Sequence, residues 1–306
     1  MKICIEIPSW IGDSVMTTPS IINIVNFFQH PEITIIGQKS SIALFKNFPR
    51  VISLIEIDKS YKNIFYTIQN LNEYDTFISY RKSLRSSFLK SLIKAKKKFQ
   101  YNRKLYVGHQ VEKYNSFVCE IFNFNLPPGP LSIYPFERSL QKRLRLGINP
   151  GASYGSAKRW YPDKFAKVIE NLSDKYEVII FGSKNEIEIA EDIEKNLKNL
   201  GIKNYQNLVG KTSIEELIFQ VRDLSIFITG DSGIMHIAAA FSIPTVAIFG
   251  PTITTETSQW MNPKSLILKK NLDCQPCMKR VCPLGHHDCM KKISSKEVID
   301  SVLSLT

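Results

Sequence analysis

Several things are scarce in this sequence, and each shortage excludes a class of protein. No stretch reaches the roughly 18 consecutive apolar residues of a membrane-spanning helix. The opening residues, Met1-Lys2-Ile3-Cys4-Ile5-Glu6-Ile7, lack the apolar core and cleavage site of a secretory signal, so a cytoplasmic location is expected. Acidic residues are outnumbered, 28 against 40 Lys and Arg, leaving a net charge of +12. Such an excess favours phosphorylated ligands, nucleic acid or an anionic membrane surface without choosing among them. Glycine-rich nucleotide loops are missing too. No P-loop occurs, and Gly12 stands alone after the first strand-like run where a dinucleotide fold needs G-x-G-x-x-G. A nicotinamide-dependent dehydrogenase is disfavoured on that ground. Solenoid repeats and low-complexity tracts are also absent. With 43% hydrophobic and 22% charged residues, the composition excludes disorder, collagen and coiled coil.

What is present reads as two α/β domains. At roughly 150 residues per domain, 306 residues suffice for two cores. Runs at 2–7, 32–37, 51–57 and 74–80 are short, Ile-rich and bounded by turn residues, as strands are. Between them lie helical stripes such as Ile21, Ile24, Val25 and Phe28. Near-continuous apolar strands alternating with helices predict a parallel sheet covered on both faces. The segment 125–141, with Pro127-Pro128-Gly129-Pro130, predicts a stiff connector. The domains are therefore drawn as 1–140 and 141–306. Alternation resumes with strands at 146–149, 177–181, 225–229 and 245–249, and helices at 186–200 and 233–241. Ser213-x-x-Glu216 and Ser294-x-x-Glu297 are capping boxes that open two further helices.

In doubly wound sheets, ligands bind beyond the carboxyl ends of strands, so residues directly after strands matter most. Asp13 follows the first strand, either as a general base or as a helix-capping acid. Asn149-Pro150-Gly151-Ala152-Ser153-Tyr154-Gly155-Ser156-Ala157-Lys158-Arg159 combines free backbone donors with positive charge, as a phosphate cradle does. Gly230-Asp231-Ser232-Gly233, followed by His236, ends a strand and starts an Ala-rich helix. Amides at such a helix N-terminus attract anions, with His236 either at the anion or a satisfied interior histidine.

These three segments, in this order and spread over nearly the whole chain, resemble the family 9 glycosyltransferases, the lipopolysaccharide heptosyltransferases. The resemblance implies a GT-B fold, two Rossmann-like domains facing a central cleft, with the tail helix packing back on the first domain. It implies an inverting enzyme without cofactor or catalytic metal. The donor would be ADP-heptose, held by the second domain. Asp13 would be the base, and Lys158, the amides of Ser232 and Gly233, and His236 would neutralise the leaving diphosphate. Ser153 would be a further phosphate contact, Glu186 a ribose carboxylate or a first-turn acid, and Thr212 part of the adenine pocket. Asp231 would join the donor site or cap its helix. The tail around Cys274 and Cys289 is similar to the branch of the family that acts on the first heptose of the lipid A–Kdo core. A Kdo or later-heptose acceptor is the alternative.

Two features keep more than one reading. Ten basic residues between Arg81 and Lys104 form a solvated face, or meet acidic acceptor groups through Arg81, Lys82 and Arg85 and approach the inner-membrane surface with the lysines. Cys274, Cys277, Cys282 and Cys289, with His286 and His287 among them, have the ligand types of a structural zinc site, yet not the spacing of a ribbon or finger. A basic nucleic-acid-binding protein with a Cys4 module is the non-enzymatic rival. Against it, the basic run and the cysteines fall in different domains, and no nucleic-acid partner is expected.

Overall fold

The Ile- and Val-rich runs form strands, and their register shows why they read as continuous apolar segments. In the first sheet Ile5 lies between Ile35 and Ile78, so the central strand is covered on both sides and both faces. This sheet contains β1 (Lys2–Glu6), β2 (Glu32–Gly37), β3 (Val51–Glu56), β4 (Tyr74–Ser79) and β5 (Ala95–Gln100), all parallel, in the order β3-β2-β1-β4-β5. The second contains β6 (Arg145–Asn149), β7 (Glu177–Ile180), β8 (Tyr205–Asn207), β9 (Ile226–Gly230), β10 (Thr245–Ile248) and β11 (Ser265–Leu268). Its order is β11-β10-β9-β6-β7-β8, again parallel throughout. Strand order reverses between β1 and β4 in one sheet and between β6 and β9 in the other. Those are the points where a doubly wound sheet offers a ligand site.

The structure, a computed structural model, describes residues 1–134 and 143–306, and the chain divides into two units, Met1–Phe136 and Glu137–Thr306. The boundary expected at 140/141 lies outside the described residues. The first part of the expected connector belongs to the first unit. Asn23 and Asn115 donate their amides to the Leu126 carbonyl, and Ser132 N–H donates to Thr18 Oγ1, with Leu131 and Ile133 buried.

Three edge strands are absent from the sequence reading. β5, in the lysine run, carries Lys96, Lys97 and Lys98, while β8 and β11 are only three and four residues long. Edge strands need only one apolar partner, and exposed lysines on them discourage pairing with another chain. Both capping boxes form as expected, at the helices Ile214–Arg222 and Ser295–Leu305. The C-terminal helix contributes its apolar stripe to the second unit. Val298 and Val302 are fully buried in the second unit's own core, with Ile226, Val246 and Ile248.

Candidate active site

In the second unit, the loops after β6, β9 and β10 bring together residues far apart in sequence. The Lys158 ammonium donates to the Asp231 carboxylate at 2.6 Å and to the Asp231 carbonyl at 3.3 Å, and Thr252 Oγ1 donates to the same carboxylate oxygen at 2.7 Å. The ion pair is nearly buried, the two side chains being 12% and 7% exposed. An ammonium has three donors, so two contacts to Asp231 leave one for a ligand anion. Asp231 therefore holds the lysine and does not cap the helix behind it. The N-cap of Gly233–Ala240 is Ser232, whose hydroxyl makes no capping bond and faces Thr229 Oγ1 at 3.0 Å. The first-turn amides of that helix are left open towards an anion. His236 lies inside this turn and is buried.

The other residues expected at the donor site are spread along the same sheet edge. Ser153 is exposed in the loop before Lys158, and Thr212 is half-buried just before the N-cap Ser213. Glu186 is buried and closes a capping box, accepting the Ser183 N–H at 2.6 Å. The first-turn role is thus realised. The same side chain packs directly on Gly151, where a Cβ would collide with its carboxyl carbon, so it stands against the loop after β6.

In the first unit, the turn after β1 is fastened before it reaches Asp13. Ser14 Oγ donates to the carbonyls of Pro8 (2.8 Å) and Trp10 (3.0 Å), and Ser41 Oγ to that of Ser9. Trp10, not Asp13, occupies the N-cap of Ile11–Met16, and Asp13 sits half-buried in the first turn. Its charge reaches the buried phenol of Tyr114. Burial pushes that phenol well above its ordinary range, and the Asp13 carboxylate adds to the shift.

A residue that sequence reading missed organises the basic candidates. Glu6, at the end of β1, is buried and accepts from Ser79 Oγ (2.5 Å) and Ser86 Oγ (2.9 Å), with Arg81 at 3.6 Å. Burial raises its carboxyl, opposed by the Ser79 hydrogen bond and then by the charge of Arg81, with Arg85 also contributing. Arg81 thus pairs with a buried carboxylate, on which the charge of Arg85 also acts. Lys82 turns away to Asn102 Oδ1 at 3.0 Å. The signal was a lone acid inside the apolar run Ile3–Ile7, since Glu is almost never fully buried unless paired.

Cys274, Cys277, Cys282 and Cys289 are all free thiols. Burial pushes the Cys289 thiol up to about 11, helped by Cys282, Cys274 and Cys277 nearby. Among the described residues, no group of three or more His, Cys, Asp or Glu side chains is arranged to hold a metal ion.

Two doubly wound parallel sheets, the second with a lysine–carboxylate cluster beside a helix N-terminus, make up an α/β fold of the nucleotide-binding type. Residues 67–287 match the model of glycosyltransferase family 9 (heptosyltransferase), and the chain belongs to that family. Lipooligosaccharide heptosyltransferase 2 of Campylobacter jejuni is 38% identical over 100% of this chain and 98% of its own length. Escherichia coli ADP-heptose lipopolysaccharide heptosyltransferase II superposes with a TM-score of 0.83 at 20% identity, covering 100% and 98% of the two chains. An E. coli heptosyltransferase solved with ADP superposes at 0.81, with 13% identity and both chains fully covered. The fold is the GT-B type that the sequence resemblance implies.

Proposed function

We propose that this heptosyltransferase transfers L-glycero-D-manno-heptose from ADP-heptose to the first heptose of the lipid A–Kdo inner core, with inversion. The observation that carries the donor assignment is the Lys158–Asp231–Thr252 cluster beside the open amides of Gly233–Ala240. It offers one oriented cation and a set of backbone donors where a diphosphate would gain charge as the glycosidic bond breaks. The solved relative with ADP and the full-length similarity to a heptosyltransferase 2 support the donor and the acceptor respectively.

In this reading the acceptor hydroxyl attacks the anomeric carbon while Asp13 takes its proton, and ADP leaves from the opposite face. Lys158, the Ser232 and Gly233 amides and His236 balance the departing charge. Ser153 touches the phosphates, Glu186 offers carboxylate oxygen to the ribose, and Thr212 borders the adenine. Arg81, held by Glu6, meets acidic groups of the inner core together with Lys82 and Arg85.

Peripheral association with the cytoplasmic face of the inner membrane belongs to the same proposal. No helix among the described residues is long and apolar enough to cross a membrane. Lys94, Lys96 and Lys97 are exposed on and beside the edge strand β5. Each would contribute about 1 kcal/mol near an anionic leaflet.

The test is turnover with EDTA present, using ADP-heptose and two truncated cores, one ending in Kdo and one carrying a single heptose. ADP release only with the heptose-bearing core is expected. Release with the Kdo-terminated core would move the enzyme one step earlier, and release with neither would remove the acceptor assignment.

A further inference from the structure

The cysteine-rich tail is the one sequence motif left without a task in this chemistry. Its backbone lies on the loop that carries Lys158. Ala157, the neighbour of that lysine, is held at both of its peptide groups. Its N–H donates to the Arg280 carbonyl at 3.0 Å, and its carbonyl lies 2.9 Å from His287 Nε2. The Tyr161 hydroxyl stands 3.1 Å from His287 Nδ1. The Nε2–H tautomer satisfies both contacts, with the ring donating to Ala157 and accepting from Tyr161.

Two residues before Ala157 the fit is closer still. A Cβ at Gly155 would collide with the same Arg280 carbonyl, so only glycine lets the two backbones meet there. The Tyr154 hydroxyl donates to the Met278 carbonyl at 2.7 Å, and its ring lies 4.6 Å from the Lys158 ammonium. The tail is in turn tied to the loop after β10. Met278 N–H donates to the Pro251 carbonyl and the Gln275 amide to that of Gly250. One loop therefore braces both segments whose side chains grip Asp231, those carrying Lys158 and Thr252.

We propose that the tail loop, through His287, positions Lys158 for the donor's diphosphate without touching the ligand. This rests on the reading of Lys158 as the phosphate-binding cation. The physical reason is order. A lysine on a flexible stem loses much rotational freedom on binding, and an unbraced loop would lose backbone freedom as well. A brace settles that loss on folding, before any ligand arrives.

The test compares His287→Asn with His287→Gln in the full chain. His287 has a φ of 54°, a left-handed conformation that asparagine adopts readily, so His287→Asn keeps the backbone and withdraws the long-reach donor. His287→Gln keeps an amide donor at about the Nε2 reach. For His287→Asn, ADP affinity and donor KM should both worsen by about tenfold, the worth of one hydrogen bond, with kcat little changed. His287→Gln should recover most of the loss. In a Lys158→Ala background, His287→Asn should add little, because a residue acting through Lys158 couples to it.

An unchanged ADP affinity in His287→Asn would overturn the proposal, as would an equal loss with and without Lys158. If Lys158→Ala itself left ADP binding intact, the phosphate reading would fall and this inference with it. Should His287→Asn fold poorly, Tyr161→Phe removes the hydroxyl at Nδ1 and should weaken ADP in the same direction. No loss in that variant would count against the brace.

Discussion

At the residue scale, the first sheet's edge separates two carboxylates by environment. Glu6 is buried and spends both oxygens on serines, so it is built to hold Arg81 and not to accept a substrate proton. Asp13 sits half-buried in a first turn whose N-cap is another residue, close enough to influence Tyr114. That division leaves Asp13 as the base in the proposed mechanism. Asp13→Asn keeps the shape and removes the base. Its turnover should fall about a hundred- to ten-thousand-fold, while ADP affinity stays near the wild-type value. Steady-state kinetics beside ADP titration will check this, and equal losses in both would count against a catalytic role. Asp13 and Lys158 were legible as single residues because each follows a strand. Thr252 was not, since nothing local marks a residue whose role is to face another strand's loop, and Glu6 was marked only as a lone acid inside an apolar run.

Among the elements, the C-terminal helix Ser295–Leu305 best shows how local signals and packing combine. The Ser294 hydroxyl accepts the Glu297 N–H at 3.2 Å, and the Glu297 carboxylate accepts the Ser294 N–H at 2.8 Å and pairs with Lys270. The Lys270 hydrogen bond first, and the Ser294 N–H second, lower the Glu297 carboxyl from 4.5 to about 2. The folded value lies below the unfolded one, so this stabilisation is complete above pH 4.5. It is lost as pH falls from 4.5 towards 2. Thermal melts of the wild type and Glu297→Gln should therefore differ at neutral pH and converge through that window. A constant gap down to pH 2 would mean that the pairing contributes nothing. The capping box was legible because it is a local four-residue pattern. Where the helix packs was not, because its stripe of Val298 and Val302 fits any apolar surface equally well.

For the whole molecule, the division into two units has a functional consequence. Every residue assigned to the donor lies after Glu137, in a unit with its own core around Ile148, Ile180, Ile228 and Val302. The fragment Arg143–Thr306 should fold by itself and bind ADP within about threefold of the full chain, an affinity difference below 1 kcal/mol. It should transfer no heptose, since Asp13 and the arginines around Glu6 are missing. Calorimetry with ADP on the purified fragment will read this, and a folded fragment that fails to bind would show that the donor site needs the first unit. The two sheets were legible from alternating runs. The three edge strands β5, β8 and β11 escaped, as they are lysine-rich or very short and carry little periodic signal.

The sequence by itself determined the α/β class, the two-sheet organisation, both capping boxes and the family. Each of these is written in local periodicity or in short motifs, which survive without knowledge of contacts. Only the tertiary structure decided that Asp231 grips Lys158 and leaves its helix uncapped. It also revealed that Glu6 holds Arg81, that the last helix closes the second unit's core, and that the cysteine-rich tail braces the lysine loop. Those facts join residues up to about 130 positions apart, as His287 joins Ala157. Parallel strands bring their carboxyl ends to one edge whatever their spacing in the chain, and it is that edge, not proximity in sequence, that builds the site.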